Sequence, residues 1–180
     1  MRNYVIAGSL AAALATATQV VPMYVDPDPV ETGVCWVDLA QSMDGTEEVG
    51  GNNRGPVVEE IQRSTGNSPG DAWCASFVWY VMDSCWAAPE SDPRRFGWAP
   101  SWFVPAWRIP RDQARTGDLW GMWDAERNRI AHVGVIVSVS EDGSIVTVEG
   151  NTNWRGHRDG QGVHIRLRRP GGLDQFSRPR

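Results

Sequence analysis

Lysine is absent from this chain of 180 residues, and all 17 of its basic side chains are arginines. That bias reads as the mark of a G+C-rich coding sequence and carries no chemistry of its own. Cysteine and histidine are scarce, with three of each. Three cysteines are an odd number and too few for a disulfide-built scaffold, so the fold has to rest on a hydrophobic core with at most one bridge. The imidazole bases on offer are His132, His157 and His164. Positive charge is also short: the formal net charge is −5, which argues against a general nucleic-acid binder or a cationic membrane-surface protein. The deficit is uneven, because after Trp154 seven arginines face only Asp159 and Asp174. A solvated strand and a frayed terminus are the expected setting for that basic tail.

What is present begins with an uncharged run from Asn3 to Val25, behind Arg2 and the amino group. A positive start, an apolar stretch and the small-residue site Ala15-Thr16-Ala17 predict an export signal or a weak membrane anchor over residues 1–25. The Pro- and Asp-rich DPDPVE at 26–31 reads as a linker. One domain of ordinary size, from 32 to 180, follows.

Helical signals come first within that domain. TGVCWVDLAQS carries Cys35, Trp36, Leu39 and Ala40 at helical spacing and predicts a short amphipathic helix. Pro56 suits the first position of a second helix, VVEEIQRST, which Gly66 ends. Asp71 is placed to cap a third, from about Ala72 to Trp86, apolar on most sides and so central in the core. Residues 89–117, with five prolines, read as a long ordered loop containing one helical turn. Strand patterns then take over at DLWGMW (118–123), IAHVGVIVSVS (130–140), SIVTVEG (144–150) and GVHIRLRR (162–169). Helices first and an antiparallel sheet afterwards make an α+β fold.

The chemistry gathers at three places. With Asp71 as the cap, Cys74 would be the third residue of its helix, where unpaired N–H groups and the positive end of the helix dipole favour a thiolate. Position alone leaves a nucleophile and a buried packing thiol both open. His132 lies on the strand face opposite Val133, Val135, Val137 and Val139, and Gly134 beside it leaves room for a partner. Glu149 and Asn151 end the next strand on one face, with Gly150 between them allowing close approach, so either side chain could orient the imidazole. His157 and His164 fall in a Gly-rich loop and a charged strand, and solvated roles are expected for them. Each feature alone has an ordinary structural explanation, but the order Cys, His, Glu/Asn suggests a thiol acyl-transfer site.

GDAWCASFVWYV, RIAHVGVIVSV and VEGNTN resemble the three motifs of CHAP domains, the cysteine- and histidine-dependent amidohydrolases/peptidases that cut peptidoglycan. EEVGGNNRGPVVEEIQ, ARTGDLW and GVHIRLRR extend the similarity over about residues 32–170. The resemblance implies a papain-like fold with N-terminal helices packed on an antiparallel sheet. It implies Cys74 as nucleophile, His132 as general base and Glu149 as orienting acid, with Asn151 sharing that role. Asn53, Trp73, Trp102 and Trp107 are the candidate substrate contacts. For the tryptophans of the Pro-rich loop, packing onto the core is the simpler account. Some members bind calcium through an Asp-x-Asp loop near the nucleophile; here that pattern occurs before Cys74 only at Asp26-Pro27-Asp28, in the linker, so no metal or cofactor is expected.

The implied partner is bacterial peptidoglycan, with inner-membrane association through residues 3–25 as a further expectation and no role for nucleic acid. The leader is similar to that of signal-arrest-release endolysins, so export to the periplasm or cell wall and release of a phage-encoded enzyme at lysis both stay open. NlpC-type wall peptidases share the Cys-then-His logic but usually place a third histidine where this chain has Glu149 and Asn151. An inactive wall-binding or virion structural subunit is the non-enzymatic alternative; its expected mark is a lost nucleophile or base. Cys35 and Cys85 would pair in an oxidising compartment, and two buried free thiols are the equal alternative.

Overall fold

A computed structural model describes residues 27–153 and 160–180. The expected leader at 1–25, and His157 with its Gly-rich loop, lie outside the described residues. Three helices, α1 (Cys35–Ser42), α2 (Pro56–Ser64) and α3 (Cys74–Ser84), precede six strands: β1 (Arg108–Ile109), β2 (Leu119–Asp124), β3 (Arg129–Val139), β4 (Ile145–Thr152), β5 (Gly162–Arg168) and β6 (Gln175–Ser177). The strands form one antiparallel sheet in the order β1-β6-β2-β3-β4-β5. This is the α+β arrangement that the order of helical and strand patterns implies, and it agrees with the papain-like fold that the resemblance implies.

Pro56 opens α2 as expected, its missing N–H costing nothing at a first helical position. The helices pack on one face of the sheet, where Phe77, Val78 and Val81 of α3 meet Val133, Val135 and Val148 of β3 and β4, all without solvent exposure. Burying side chains of this size stabilises the fold by about 1.5–3 kcal/mol each. On the opposite face a smaller apolar cluster joins Trp120, Ile136, Ile145 and Phe176. Alternation along β3 therefore sends Val133 and Val135 to the helices and His132 to the other side.

Three expectations need correction. α3 starts at Cys74, not at Ala72, and Trp73 occupies the cap position without a side-chain cap bond. The Asp71 carboxylate instead accepts from the Ser68 N–H at 2.7 Å, closing the turn before the helix. Cys74 is thus the first helical residue, and α3 ends at Ser84 with Trp86 beyond it, left-handed and 98% exposed. Second, the loop at 89–117 holds three 3₁₀ helices, at 93–97, 99–103 and 111–113, and the short strand β1. Third, the basic tail is not simply solvated. Arg178 grips Asp118 through Nε and Nη2 at 2.7 and 2.8 Å, locking β6 between β1 and β2, and Arg166 is 5% exposed.

Cys35 and Cys85 form a disulfide that joins the start of α1 to the end of α3. Closing a loop across 50 residues removes chain entropy from the unfolded state worth about 4 kcal/mol. The bridge leaves Cys74 as the free thiol.

Candidate functional site

α3 and β4 meet where neither has bulk to spare. A Cβ added to Gly150 would sit 2.6 Å from Phe77 Cβ and 2.7 Å from Trp73 Cζ3. The bare glycine lets the first turn of α3 press on the sheet and brings Cys74 to the His132 end of β3. There the β3–β4 ladder has stopped: it runs from Val139↔Ile145 to Val135↔Val148, and His132 and Glu149 lie just beyond it. Gly134 serves the same end from β3, since a Cβ there would lie 2.6 Å from Glu149 Cγ. Both glycines do what the sequence pattern suggested, one admitting the helix and the other the carboxylate.

His132 and Glu149 are fully buried, whereas Cys74 keeps 6% exposure. The imidazole Nε2 lies 2.8 Å from Glu149 Oε2. A carboxylate only accepts, so Nε2 carries the hydrogen and the neutral ring has its lone pair on Nδ1. Nδ1 makes no hydrogen bond. Cys74 is the other group that acts on this ring. Burial pushes the His132 pKa down, but the charge of Cys74, aided by Glu149, outweighs burial and raises the pKa to about 9. The ring is thus tuned to hold a proton.

Glu149 has more support than the sequence suggested. Arg168 of β5 donates to it from both Nε, at 2.7 Å to Oε1, and Nη2, to Oε2. Thr147 Oγ1 donates to Oε1. Burial would raise the carboxyl pKa, yet the hydrogen bonds and charge of Arg168, followed by those of His132, hold it well below the usual carboxylate range. Trp120 covers this pair, with the Arg168 guanidinium 5.1 Å from its ring centroid and the His132 ring edge-on at 6.4 Å.

The Asn151 side chain is engaged elsewhere. Oriented with its oxygen toward Trp73, its amide accepts from the Trp73 N–H at 3.0 Å and donates to Asn53 Oδ1 at 3.2 Å and the Gly160 carbonyl at 3.0 Å. Instead of turning the imidazole, it fixes Trp73, the residue that precedes Cys74. Asn53 belongs to the same support: its side-chain nitrogen donates to Gly70 O at 3.1 Å, and its N–H donates to Glu48 Oε2 at 2.7 Å. Glu48 also accepts from Trp73 Nε1 at 2.9 Å.

Three of the four candidate substrate contacts are therefore buried inside the protein. Trp73 and Trp102 have no solvent exposure and Asn53 has 6%, so none presents a free face. Trp102 donates from Nε1 to the Phe96 carbonyl and packs tilted on that ring at 4.7 Å, while the half-buried Trp107 stacks on Phe96 at 5.9 Å. The Pro-rich loop spends these aromatics on its own attachment to α3. Trp98, 56% exposed with Arg129 lying 5.9 Å from its ring, is the tryptophan of that loop that faces solvent.

Residues 65–151 match the family model of the CHAP domain, a stretch that carries Cys74, His132, Glu149 and Asn151. This stretch of the chain is similar to CHAP domains. No curated protein and no solved structure matches the chain. CHAP domains make up a peptidoglycan amidase/peptidase family, and the match supports a hydrolase acting on the bacterial cell wall. Among the described residues, no group of three or more His, Cys, Asp or Glu side chains could hold a metal ion, and no helix is long and apolar enough to cross a membrane.

Arg168, Thr147 and Glu48 were not foreseen from sequence. Thr147 shares the parity of Glu149 on one strand and was within reach of a period-two argument. Arg168 was not, because its place depends on the β4–β5 register: it pairs with Ile145 and reaches along the sheet to Glu149.

Proposed function

We propose that this protein is a thiol-dependent peptidoglycan hydrolase in which Cys74 is the nucleophile, His132 the general base and Glu149 the group that orients the base. The observation carrying this reading is the buried His132 imidazole bonded to a carboxylate that arginine holds ionised, with Cys74 acting on the same ring. His132 Nδ1 takes the thiol proton, and Sγ attacks the carbonyl carbon of a wall amide. Backbone N–H groups at the start of α3, that of Cys74 among them, face the developing oxyanion. The C–N bond breaks as the imidazolium gives its proton to the departing amine, leaving a thioester. Water then adds to the thioester with His132 again accepting a proton, and the carboxylic acid leaves as the thiol is restored.

The bond is an amide of the stem peptide, either between muramic acid and L-alanine or within the stem or its cross-bridge. Action outside the cytoplasm fits this substrate, and the Cys35–Cys85 disulfide supports an oxidising compartment. Cys74→Ala is expected to leave a folded protein that no longer clears a suspension of purified peptidoglycan. Retained clearing would overturn the assignment. Mass spectrometry of the wild-type digest separates the bonds: free L-alanine amino termini mark the amidase, and new amino termini further along the peptide mark the endopeptidase.

A further inference from the structure

Glu149 is a carboxylate in a place where burial favours the acid. It has no solvent exposure, and Trp120 lies over it on the side away from the helices. What a proton on Glu149 would do follows from its partner. A carboxylate accepts from His132 Nε2–H and leaves Nδ1 free to take the Cys74 proton; a carboxylic acid donates to Nε2 and puts the ring hydrogen on Nδ1. The second tautomer cannot act as a base toward Cys74. Orientation by Glu149 works only while Glu149 stays ionised, and the geometry shows one cation bound to both of its oxygens.

We propose that Arg168 is a positioning residue of the Cys74 site: by clamping Glu149 through Nε and Nη2 it keeps the carboxyl an acceptor, which fixes His132 with Nε2–H toward Glu149 and Nδ1 toward Cys74. The inference rests on the functional reading of Cys74 and His132 given above. A two-pronged guanidinium suits the task because it satisfies both oxygens at once and remains charged at any pH the fold survives. Trp120 holds it there, its ring facing the guanidinium and its Nε1 anchored on Asp174 Oδ2 at 3.0 Å. Thr147 adds a neutral donor to Oε1. The other charged or titratable groups on this face are His132 from β3, Arg166 opposite Thr147, and His164 opposite Glu149, whose Nδ1 lies 3.9 Å from Asp44 Oδ1. Cys74 adds its thiol from α3. Arg168 is the cation among them bonded to both carboxyl oxygens.

Removing this cation raises the proton affinity of every group around it, so the loss shows on the acid side of the pH profile. The test compares the full chain with its Arg168→Met and Arg168→Lys variants. Three readouts are taken: the rate of Cys74 alkylation by iodoacetamide between pH 4 and 8, kcat and KM on purified peptidoglycan, and the ¹⁵N shifts of His132, assigned with His132→Gln. In R168M the acid limb is expected to move up by at least one pH unit, with at least a tenfold loss of kcat near pH 6 and KM within about twofold. The ¹⁵N signal of its His132 Nε2, the nitrogen that faces Glu149, should shift relative to wild type. In R168K, which keeps a charge but not the two-pronged bond, the limb should return most of the way.

An unmoved limb and an unchanged His132 ¹⁵N spectrum in R168M would overturn the proposal, and so would identical behaviour of R168M and R168K. If R168M does not fold, Arg168→Gln replaces it and is read in the same way. Failure of the functional reading looks different: wild-type Cys74 would alkylate no faster than a free thiol at pH 6, or peptidoglycan would not be cut.

Discussion

Substituting Gly150 with alanine tests whether the packing of α3 on β4 sets the reacting geometry. The new Cβ would meet Phe77 Cβ at 2.6 Å, Phe77 Cγ at 2.7 Å and Trp73 Cζ3 at 2.7 Å. Ordinary carbon–carbon contact lies at about 3.5–4.0 Å, so roughly 1 Å of separation must be found. Rotating a side chain does not supply it, because Phe77 Cβ is fixed to the helix backbone. Trp73 is also held, by Glu48 at its ring nitrogen and by Asn151 at its N–H. The first turn of α3 has to retreat from the sheet, and Cys74, between those two residues, retreats with it. Overpacking of this kind costs about 1–3 kcal/mol. A displacement of about 1 Å between reacting groups lowers a rate on the order of a hundredfold.

Urea unfolding gives the first quantity, and clearing of purified peptidoglycan by folded protein gives the second. A variant destabilised by 1–3 kcal/mol that still clears peptidoglycan within about threefold of the wild-type rate would refute the reasoning. The seating of the helix would then not fix the distance from Cys74 to His132.

Other outcomes follow from the same contacts. Because the His132 pKa is raised to about 9 in the fold, its proton stabilises the protein fully below the ordinary value of 6.5, and that contribution is lost as pH rises toward 9. Urea unfolding at pH 6.5 and pH 9 should show a larger fall for wild type than for Cys74→Ala, which lacks the group that raises the imidazole pKa most; equal falls would count against a Cys74–His132 pair. Reducing the Cys35–Cys85 bridge, or replacing both cysteines with serine, should lower the unfolding free energy by about 4 kcal/mol. A change under about 1 kcal/mol would mean that the bridge does not constrain the unfolded chain.

Local chemistry made much of this protein readable in advance. Pro56 opens α2, the apolar run after Cys74 becomes the buried central helix, and the period-two patterns of β2 to β5 put His132 and Glu149 on the face away from the helices. The two close-approach glycines were legible as well, because a glycine inside a strand marks a place where something comes near. β1 and β6 were not legible: they have two and three residues, and their pairing is set by partners distant in the chain.

The start of α3 was misplaced for a different reason. Asp71 has the chemistry of a cap, and only the turn it closes with Ser68 shows that its carboxylate is already engaged. Cysteine, histidine and glutamate in that order point to the proposed reaction, because their intrinsic acid–base properties travel with the residue type. Which polar groups serve the site is a matter of register and burial. Asn53 and Asn151 support the residue before Cys74, Trp73 and Trp102 turn inward, and an arginine from a strand expected to face water reaches Glu149. No spacing along one strand encodes that last contact, since it depends on how β5 lies against β4, and only the folded sheet decides it.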